Sequence, residues 1–239
     1  RSAGSTMLYR SSGRNLQSMK LRDHLYGYPW ESMVENNCNT YLIDGKVPTL
    51  IDPGHHHLFP KLQDAMAADG FQAADIQLII ATHAHPDHFE AVQDFLNLNT
   101  RIALHPEAEE FIEMHGEHFF RILGKNLPPY RVDFHLVEGE LEVGEHRFQV
   151  IQPPGHAPGS ICLYWPEARA LFTGDVIFSQ SLGRTDLPGG NGPLLKEAID
   201  RLAELEVSLL LPGHGPVVQG VDEVKKNFHL VRSMFYGMI

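Results

Sequence analysis

Runs of apolar and polar positions divide this chain into short strands and amphipathic helices that follow one another along its length. NTYLIDGKVPTLIDPG (39–54) is two β-rich runs around Asp44-Gly45, a strong hairpin signal. A helix is predicted from Pro60 to Asp69, with Leu62, Ala65 and Met66 on its inner stripe, Pro60 in its first turn and Gly70 as its stop. IQLIIA (76–81) is a continuous apolar run of strand length. FEAVQDFLNL then reads as a helix that turns Phe89, Val92, Phe95 and Leu96 inward, and RIALH (101–105) as a strand. PEAEEFIEMHGEHFFRILGK (106–125) is helical, with acids early and Arg121 and Lys125 late as the helix dipole favours; Gly116 is expected to break it in two.

Further strands are predicted at 131–137, 141–143, 146–152, 161–165 and 169–173. After a glycine-rich loop (183–192), PLLKEAIDRLAEL forms a helix, VSLLLPGHGP closes a last strand, and 221–236 is a final helix. No repeat of fixed period and no low-complexity linker interrupts this mixture, so the fold class is α/β in one domain. Residues 1–6 (RSAGST) do not read as part of the fold, and the domain is expected over 7–239 with a helical insertion at about 106–130. The final helix carries Val224, Phe228, Val231 and Phe235 on one face, which should pack on the core or on a second subunit as a homodimer.

Composition narrows the function classes. At 239 residues and 43% apolar content the chain can bury an ordinary core. Its 30 acidic residues outnumber 19 basic ones, for a formal charge of -11, and no basic run exceeds Lys225-Lys226, so nucleic acid is a poor partner. The 2 cysteines, Cys38 and Cys162, stand far apart and outside any C-x-x-C, which argues against a disulfide framework and a thiolate zinc knuckle and for two small buried hydrophobes. No apolar run is long enough to span a membrane and no signal-peptide order opens the chain, so a cytoplasmic protein acting on a small molecule is expected.

Histidine changes the picture: there are 15, and many sit where strands end. TLI runs into Asp52-Pro53-Gly54, and LIIAT into His83-x-His85-x-Asp87-His88. FQVIQPPG runs into His156, ALFTG into Asp175, and SLLLPG into His214. Loops at one edge of a sheet are where α/β folds gather binding groups. In an extended segment, residues two apart point the same way, so His83 and His85 can grip one ion together. Pro86 pushes His85 out of helical geometry and starts a helix, turning Asp87 and His88 toward a neighbouring position. Imidazole and carboxylate without thiolate suit zinc first, with manganese or iron as alternatives.

From Asn39 to Pro216, through NTYLIDGKVPTLIDPG, THAHPDH, PPGHAPGSICLY, LFTGD and PGHGP, the chain resembles the metallo-β-lactamase superfamily. The resemblance implies a four-layer αββα sandwich of two mixed β-sheets. It implies that His83, His85 and His156 hold a first divalent ion, that Asp87, His88 and His214 hold a second, and that Asp175 bridges them. Asp52 falls where the family places a carboxylate that orients a ligand histidine. With both ions bound, hydrolysis by a bridging hydroxide is implied, with Asp87 positioning it and carrying a proton to the leaving group.

FTGDVIFSQSLGRTDLPGGN resembles the glyoxalase II-like and persulfide dioxygenase branch, in which G-R-T-D follows the bridging aspartate. True β-lactamases that resemble this fold usually carry cysteine where this chain has Asp175, which argues against β-lactams. Unlike glutathione-thioester hydrolases with a C-terminal helical domain, only a short segment follows Pro216, and the spacing from His88 to His156 is long. The extra length falls in 106–130, where Phe111, Phe119, Phe120 and Tyr130 could wall a pocket. Arg184 is expected either to meet a substrate carboxylate or to brace its loop through Asp186. Of His55-His56-His57, one residue, taken as His56, is expected to face the pocket. The leading expectation is a hydrolase of a thioester or lactone. The alternatives are a mononuclear iron, persulfide dioxygenase-like enzyme built on His83, His156 and Asp175, and a metal-binding protein without catalysis.

Overall fold

The computed structural model describes residues 16–32 and 34–239; the expected non-fold stretch 1–6 lies outside them. The first sheet has seven strands in chain order: β1 (Met19–Arg22), β2 (Leu25–Tyr28), β3 (Thr40–Ile43), β4 (Thr49–Ile51), β5 (Leu78–Ile80), β6 (Arg101–Leu104) and β7 (Phe134–His135). The β3–β4 pair is the expected hairpin, antiparallel with Leu42 opposite Leu50. From β4 onward neighbours run parallel, so β4 and β5 end at the same edge. Every residue of β4 and β5 is buried, as expected of strands covered on both faces.

Three helices follow from this half of the chain: α1 (Phe59–Ala68), the short α2 (Pro86–Phe89), continued by a 3₁₀ segment over Glu90–Phe95, and α3 (Pro106–Ile122). Gly116 does not break α3. A Cβ there would stand 3.1 Å from Leu127 Cδ2, so the glycine lets the returning chain lie against the helix. That contact offsets a propensity cost of about 1 kcal/mol. The strand expected over 131–137 contracts to β7, because Asp133 accepts the Ile102 amide with its carboxylate at 2.8 Å. A side chain thereby takes a bond that a strand backbone would supply.

The second sheet contains β8 (Gly139–Val143), β9 (His146–Ile151), β10 (Cys162–Trp165) and β11 (Ala170–Gly174). A hairpin, β12 (Ile177–Phe178) with β13 (Ser181–Leu182), leads to α4 (Gly192–Leu202). β14 (Leu209–Pro212) and β15 (Val218–Gln219) complete the sheet in the order β15-β14-β11-β10-β9-β8, and α5 (Val221–Phe235) follows. β8 to β11 alternate in direction and β14 runs parallel to β11. The C-terminal ends of β9, β11 and β14 therefore meet at one edge.

The sheets face each other across a core that includes Tyr41, Ile51, Ile80, Val150, Leu163, Phe172 and Leu211. On the outer face of the first sheet Leu42, Leu50 and Ile79 pack with Leu62, Met66, Ile112 and Phe120 of α1 and α3. On the outer face of the second, Cys162, Leu171 and Leu210 pack with Leu195, Ile199, Val224, Phe228 and Val231. The result is a mixed α/β sandwich in αββα layers, and the apolar face of α5 covers the sheet. Among the described residues no helix is long and apolar enough to cross a membrane.

Phe172 is fully buried between the sheets, with its ring 5.5 Å from that of Tyr41. We expect Phe172→Ala to lower unfolding free energy by about 3–5 kcal/mol in denaturant titration; a loss under about 1 kcal/mol would show that the sheets are not held by this contact.

Candidate metal centre

The two edges described above coincide, bringing the side chains beyond β4, β5, β9, β11 and β14 into one site. Two groups of metal-competent residues result: His83, His85, His156 and Asp175 on one side, and Asp87, His88 and His214 on the other. His156 Nε2 lies 3.3 Å from His83 Nε2 and 3.1 Å from His85 Nδ1. Across the centre His88 Nε2 and His214 Nε2 are 3.3 Å apart. Asp175 stands between the groups, with Oδ1 3.2 Å from His88 and Oδ2 3.7 Å from His156 and 3.4 Å from His214.

The ring atoms turned away from the centre are held by protein. Asp52 Oδ2 receives His88 Nδ1 at 2.9 Å and the Thr82 hydroxyl at 2.7 Å. Because that hydroxyl donates to Asp52, it accepts from His83 Nδ1, 3.1 Å away. His156 Nδ1 donates to the Arg184 carbonyl at 2.8 Å. These partners fix the protonated nitrogen of each ring and leave three Nε2 atoms facing inward, as metal-binding histidines are usually arranged. His85 presents Nδ1 instead and lays its ring 5.3 Å from that of Phe119.

Electrostatics separates the two sides. Burial, reinforced by the neighbouring imidazoles, holds His83 well below the ordinary histidine value, and burial brings His85 to about 3. Burial lowers His156 as well. These three rings are neutral and offer lone pairs. Burial opposes charge on Asp175, but His88 and His214 overcome it and keep the carboxyl well below its usual range. Asp87 is likewise held low against burial by the hydrogen bond from His214 and the charge of His88. Conversely, Asp175 and Asp52 raise His88 against its burial, and Asp175 with Asp87 lifts His214 to about 9.

The residues fit divalent metal. Three inward ring nitrogens crowd at hydrogen-bond distance although lone pairs cannot bond one another. Asp175 Oδ1 is buried without an aligned hydrogen-bond donor, even though His88 lies within ion-pair range. Two carboxylates and paired imidazoles without thiolate form the donor set of hard to borderline cations. Gly213 makes the close approach feasible: a Cβ there would collide with Asp175 Oδ1 and stand 2.7 Å from His88 Cε1.

A cavity of about 570 Å³ opens on the centre, lined by His85, Asp87, His156, Asp175 and His214 and walled by Leu123, Lys125, Phe178, Leu182, Arg184 and Leu187. Leu123 and Lys125 bring the end of the 106–130 segment to this wall. Phe119 and Phe120 are buried in the core, with Phe111 and Tyr130 packed against it, and none of the four lines the cavity. Arg184 lines it, but Asp186 clasps the guanidinium through two hydrogen bonds of 2.7 and 2.6 Å. His56 points to Asp94 on the surface at 2.8 Å, while His55 is the member of the triplet that borders the cavity. Sequence reasoning missed Asn36, whose amide donates to Asp87 Oδ2 at 2.6 Å, and Thr82. The threonine preceding the histidine cluster was the available signal; Asn36 had none.

The geometry defines a divalent-metal class of site, and comparison with known proteins agrees. The metallo-beta-lactamase superfamily profile matches residues 33–214, and the chain belongs to that superfamily. It is 34% identical over 206 residues to a probable metallo-hydrolase of Methanocaldococcus jannaschii, covering 83% of this chain and 94% of that one. It is 28% identical over 201 residues to the hydroxyacylglutathione hydrolase GloC of Haemophilus influenzae, covering 81% and 92%. Among solved structures, TTHA1623 in a di-iron-bound form aligns with TM-score 0.69 and 32% identity over 89% of this chain and all (100%) of that one. The fold and the His/Asp clusters together mark a divalent-metal-binding protein.

Raised imidazole pKa values set a pH dependence. His214, at about 9, and His88 carry protons at neutral pH that an incoming ion must displace. Affinity on the Asp87–His88–His214 side should therefore rise with pH toward about 9, by about tenfold per unit for each proton displaced. Calorimetry in buffers of different ionisation enthalpy should detect proton release; binding that is flat between pH 6 and 8 would refute the assignment. Asp52→Asn should weaken metal affinity by about 10–100-fold with far-UV circular dichroism unchanged; parental affinity would remove Asp52 from the ligand-orienting role.

Proposed function

We propose that the chain is a dinuclear metal-dependent hydrolase that cleaves an ester-type bond in a small molecule, a thioester of the hydroxyacylglutathione kind first and a lactone second. The carrying observation is Asp175, which stands within 3.7 Å of ring nitrogens from both ligand groups. A single carboxylate in that position suits an ion on each side. His83, His85 and His156 would hold one ion and Asp87, His88 and His214 the other, with zinc the first choice and iron or manganese compatible. When bound, such a pair supplies Lewis-acid polarisation of a carbonyl and activation of water.

The chain's own groups perform the remaining work. Asn36 donates to one oxygen of Asp87, which restrains the carboxylate where it lines the cavity. As a carboxylate at the cavity, Asp87 would orient an attacking water by accepting its hydrogen bond and pass the proton to a departing thiolate or alkoxide. Leu123, Leu182 and Leu187 exclude water around an acyl group. Lys125 has no carboxylate within 4.0 Å among the described residues, so it suits an anionic part of the substrate, whereas Arg184 is already neutralised by Asp186. The match to a named hydroxyacylglutathione hydrolase supports the thioester as first choice.

Elemental analysis should find at least two divalent ions per chain, and Asp175→Ala should lose at least one of them while the protein stays folded. Full metal retention in that variant would remove the bridging role. On a thioester and lactone panel, Asp87→Asn should lower kcat by about 10²–10⁴-fold with little change in KM. One iron per chain, with oxygen uptake on glutathione persulfide, would replace hydrolysis by dioxygenase chemistry.

A further inference from the structure

The histidine triplet has a partner on another element that the metal centre does not use. His55, His57 and Glu90 each place a ring nitrogen or carboxylate oxygen within 4.8 Å of the other two, and none belongs to the two groups at the centre. His55 and Glu90 are 6% and 7% exposed, with His55 Nδ1 2.7 Å from Glu90 Oε2. No lysine or arginine lies within ion-pair distance of Glu90 among the described residues, so a buried carboxylate faces only imidazole. Burying such a charge is costly unless a cation and hydrogen bonds compensate it.

We infer that His55, His57 and Glu90 form a third divalent-metal site, taking zinc by preference. Local backbone geometry selects the two histidines. His55 is extended at φ -73°, ψ 137°, and His56–Leu58 form a single 3₁₀ turn. The His55 and His57 rings come to 5.2 Å, while His56 between them turns outward to Asp94. His57 Nε2 is held by Glu35 Oε1 at 2.8 Å, the outer carboxylate that ligand histidines usually carry, and the ring is left to ligate through Nδ1. Zinc bonds of about 2.0–2.1 Å place tetrahedral donors roughly 3.3 Å apart, and these three groups already stand within 4.8 Å of one another. Two histidines and a glutamate make a complete three-residue zinc ligand set, with a fourth position for water.

The ion would act as a staple. Gly54 donates to the His88 carbonyl at 3.3 Å and accepts from Ala91 at 2.8 Å, so the loop after Asp52 already lies along the segment that carries His88 and Glu90. Joining His55 and His57 to Glu90 would lock the loop bearing the Asp52 carboxylate onto the element bearing His88, which that carboxylate orients.

The test is zinc per chain after saturation and removal of weakly bound ion, for the parent and for His57→Ala, Glu90→Gln, His56→Ala and Asp175→Ala. His57→Ala and Glu90→Gln should each hold one equivalent less than the parent, and His56→Ala should equal it. His57→Ala combined with Asp175→Ala should hold one less than Asp175→Ala alone. Unchanged zinc in His57→Ala, an exposed substitution that leaves the buried core intact, would overturn the site and make the cluster a hydrogen-bonded clamp only. Equal loss in His56→Ala would also overturn it, as surface binding. If His57→Ala loses one equivalent while Asp175→Ala loses none, the third site stands and the dinuclear reading fails.

Discussion

The Asp52 carboxylate ties the metal edge to the first sheet. One oxygen accepts the Thr82 amide at 2.7 Å, and the other accepts both the Thr82 hydroxyl and His88. The Asp52 amide bonds to the Ile80 carbonyl and its own carbonyl receives Thr40, so the residue also clamps the ends of β3, β4 and β5. It achieves this at φ 54°, in the left-handed region that a non-glycine residue enters only at a cost of about 1–3 kcal/mol. The gain is geometric. From one buried side chain, His88 is oriented directly and His83 through Thr82, and the two rings enter different ligand groups.

That arrangement makes charge balance a structural problem with two solutions. Three carboxylates, Asp52, Asp87 and Asp175, converge there, and burial opposes the charge on Asp87 and Asp175. Protons on His88 and His214 can supply compensating positive charge, because Asp175 and its neighbouring carboxylates raise those rings while burial lowers His83, His85 and His156. Divalent ions would supply the same charge and release the protons. Metal uptake would then be an exchange of cations at fixed carboxylates.

How much of this is legible in the sequence follows the range of each interaction. The β3–β4 hairpin, α1, β5, α4 and α5 are set by local periodicity and turn residues, and they stand where the pattern puts them. The strand-end residues Asp52, His83, His156, Asp175 and His214 could be read as one site because each closes an apolar run. β1 and β2 escaped because MKLR and LYGY are too short and too polar to announce a strand; pairing to β3 makes them one. Gly116 misled because its reason is Leu127, a contact across a turn. Glu90 lies outside the apolar stripe of FEAVQDFLNL, and only the fold brings His55 against it. Asn36 belongs to the same class: its partner Asp87 is 51 residues away.

Chemistry and selectivity are housed in different parts of this molecule. The candidate ligand residues beyond β5, β9, β11 and β14 follow strands that are buried where they reach the site. The cavity wall comes instead from the end of α3, the β12–β13 hairpin and the loop around Arg184 and Leu187. These segments touch substrate space without carrying a ligand side chain, except where the Arg184 carbonyl holds His156. Lys125 sits just past Gly124, whose φ of 72° ends α3 and turns the chain toward the cavity. Its charge can therefore be moved or removed without disturbing a metal ligand. By contrast, the Arg184 loop is tied to His156 through its backbone and to Asp186 through its side chain. A change of loop conformation there would alter the centre as well as the pocket, so Lys125 and the leucines, rather than Arg184, are where substrate preference can vary independently of the chemistry.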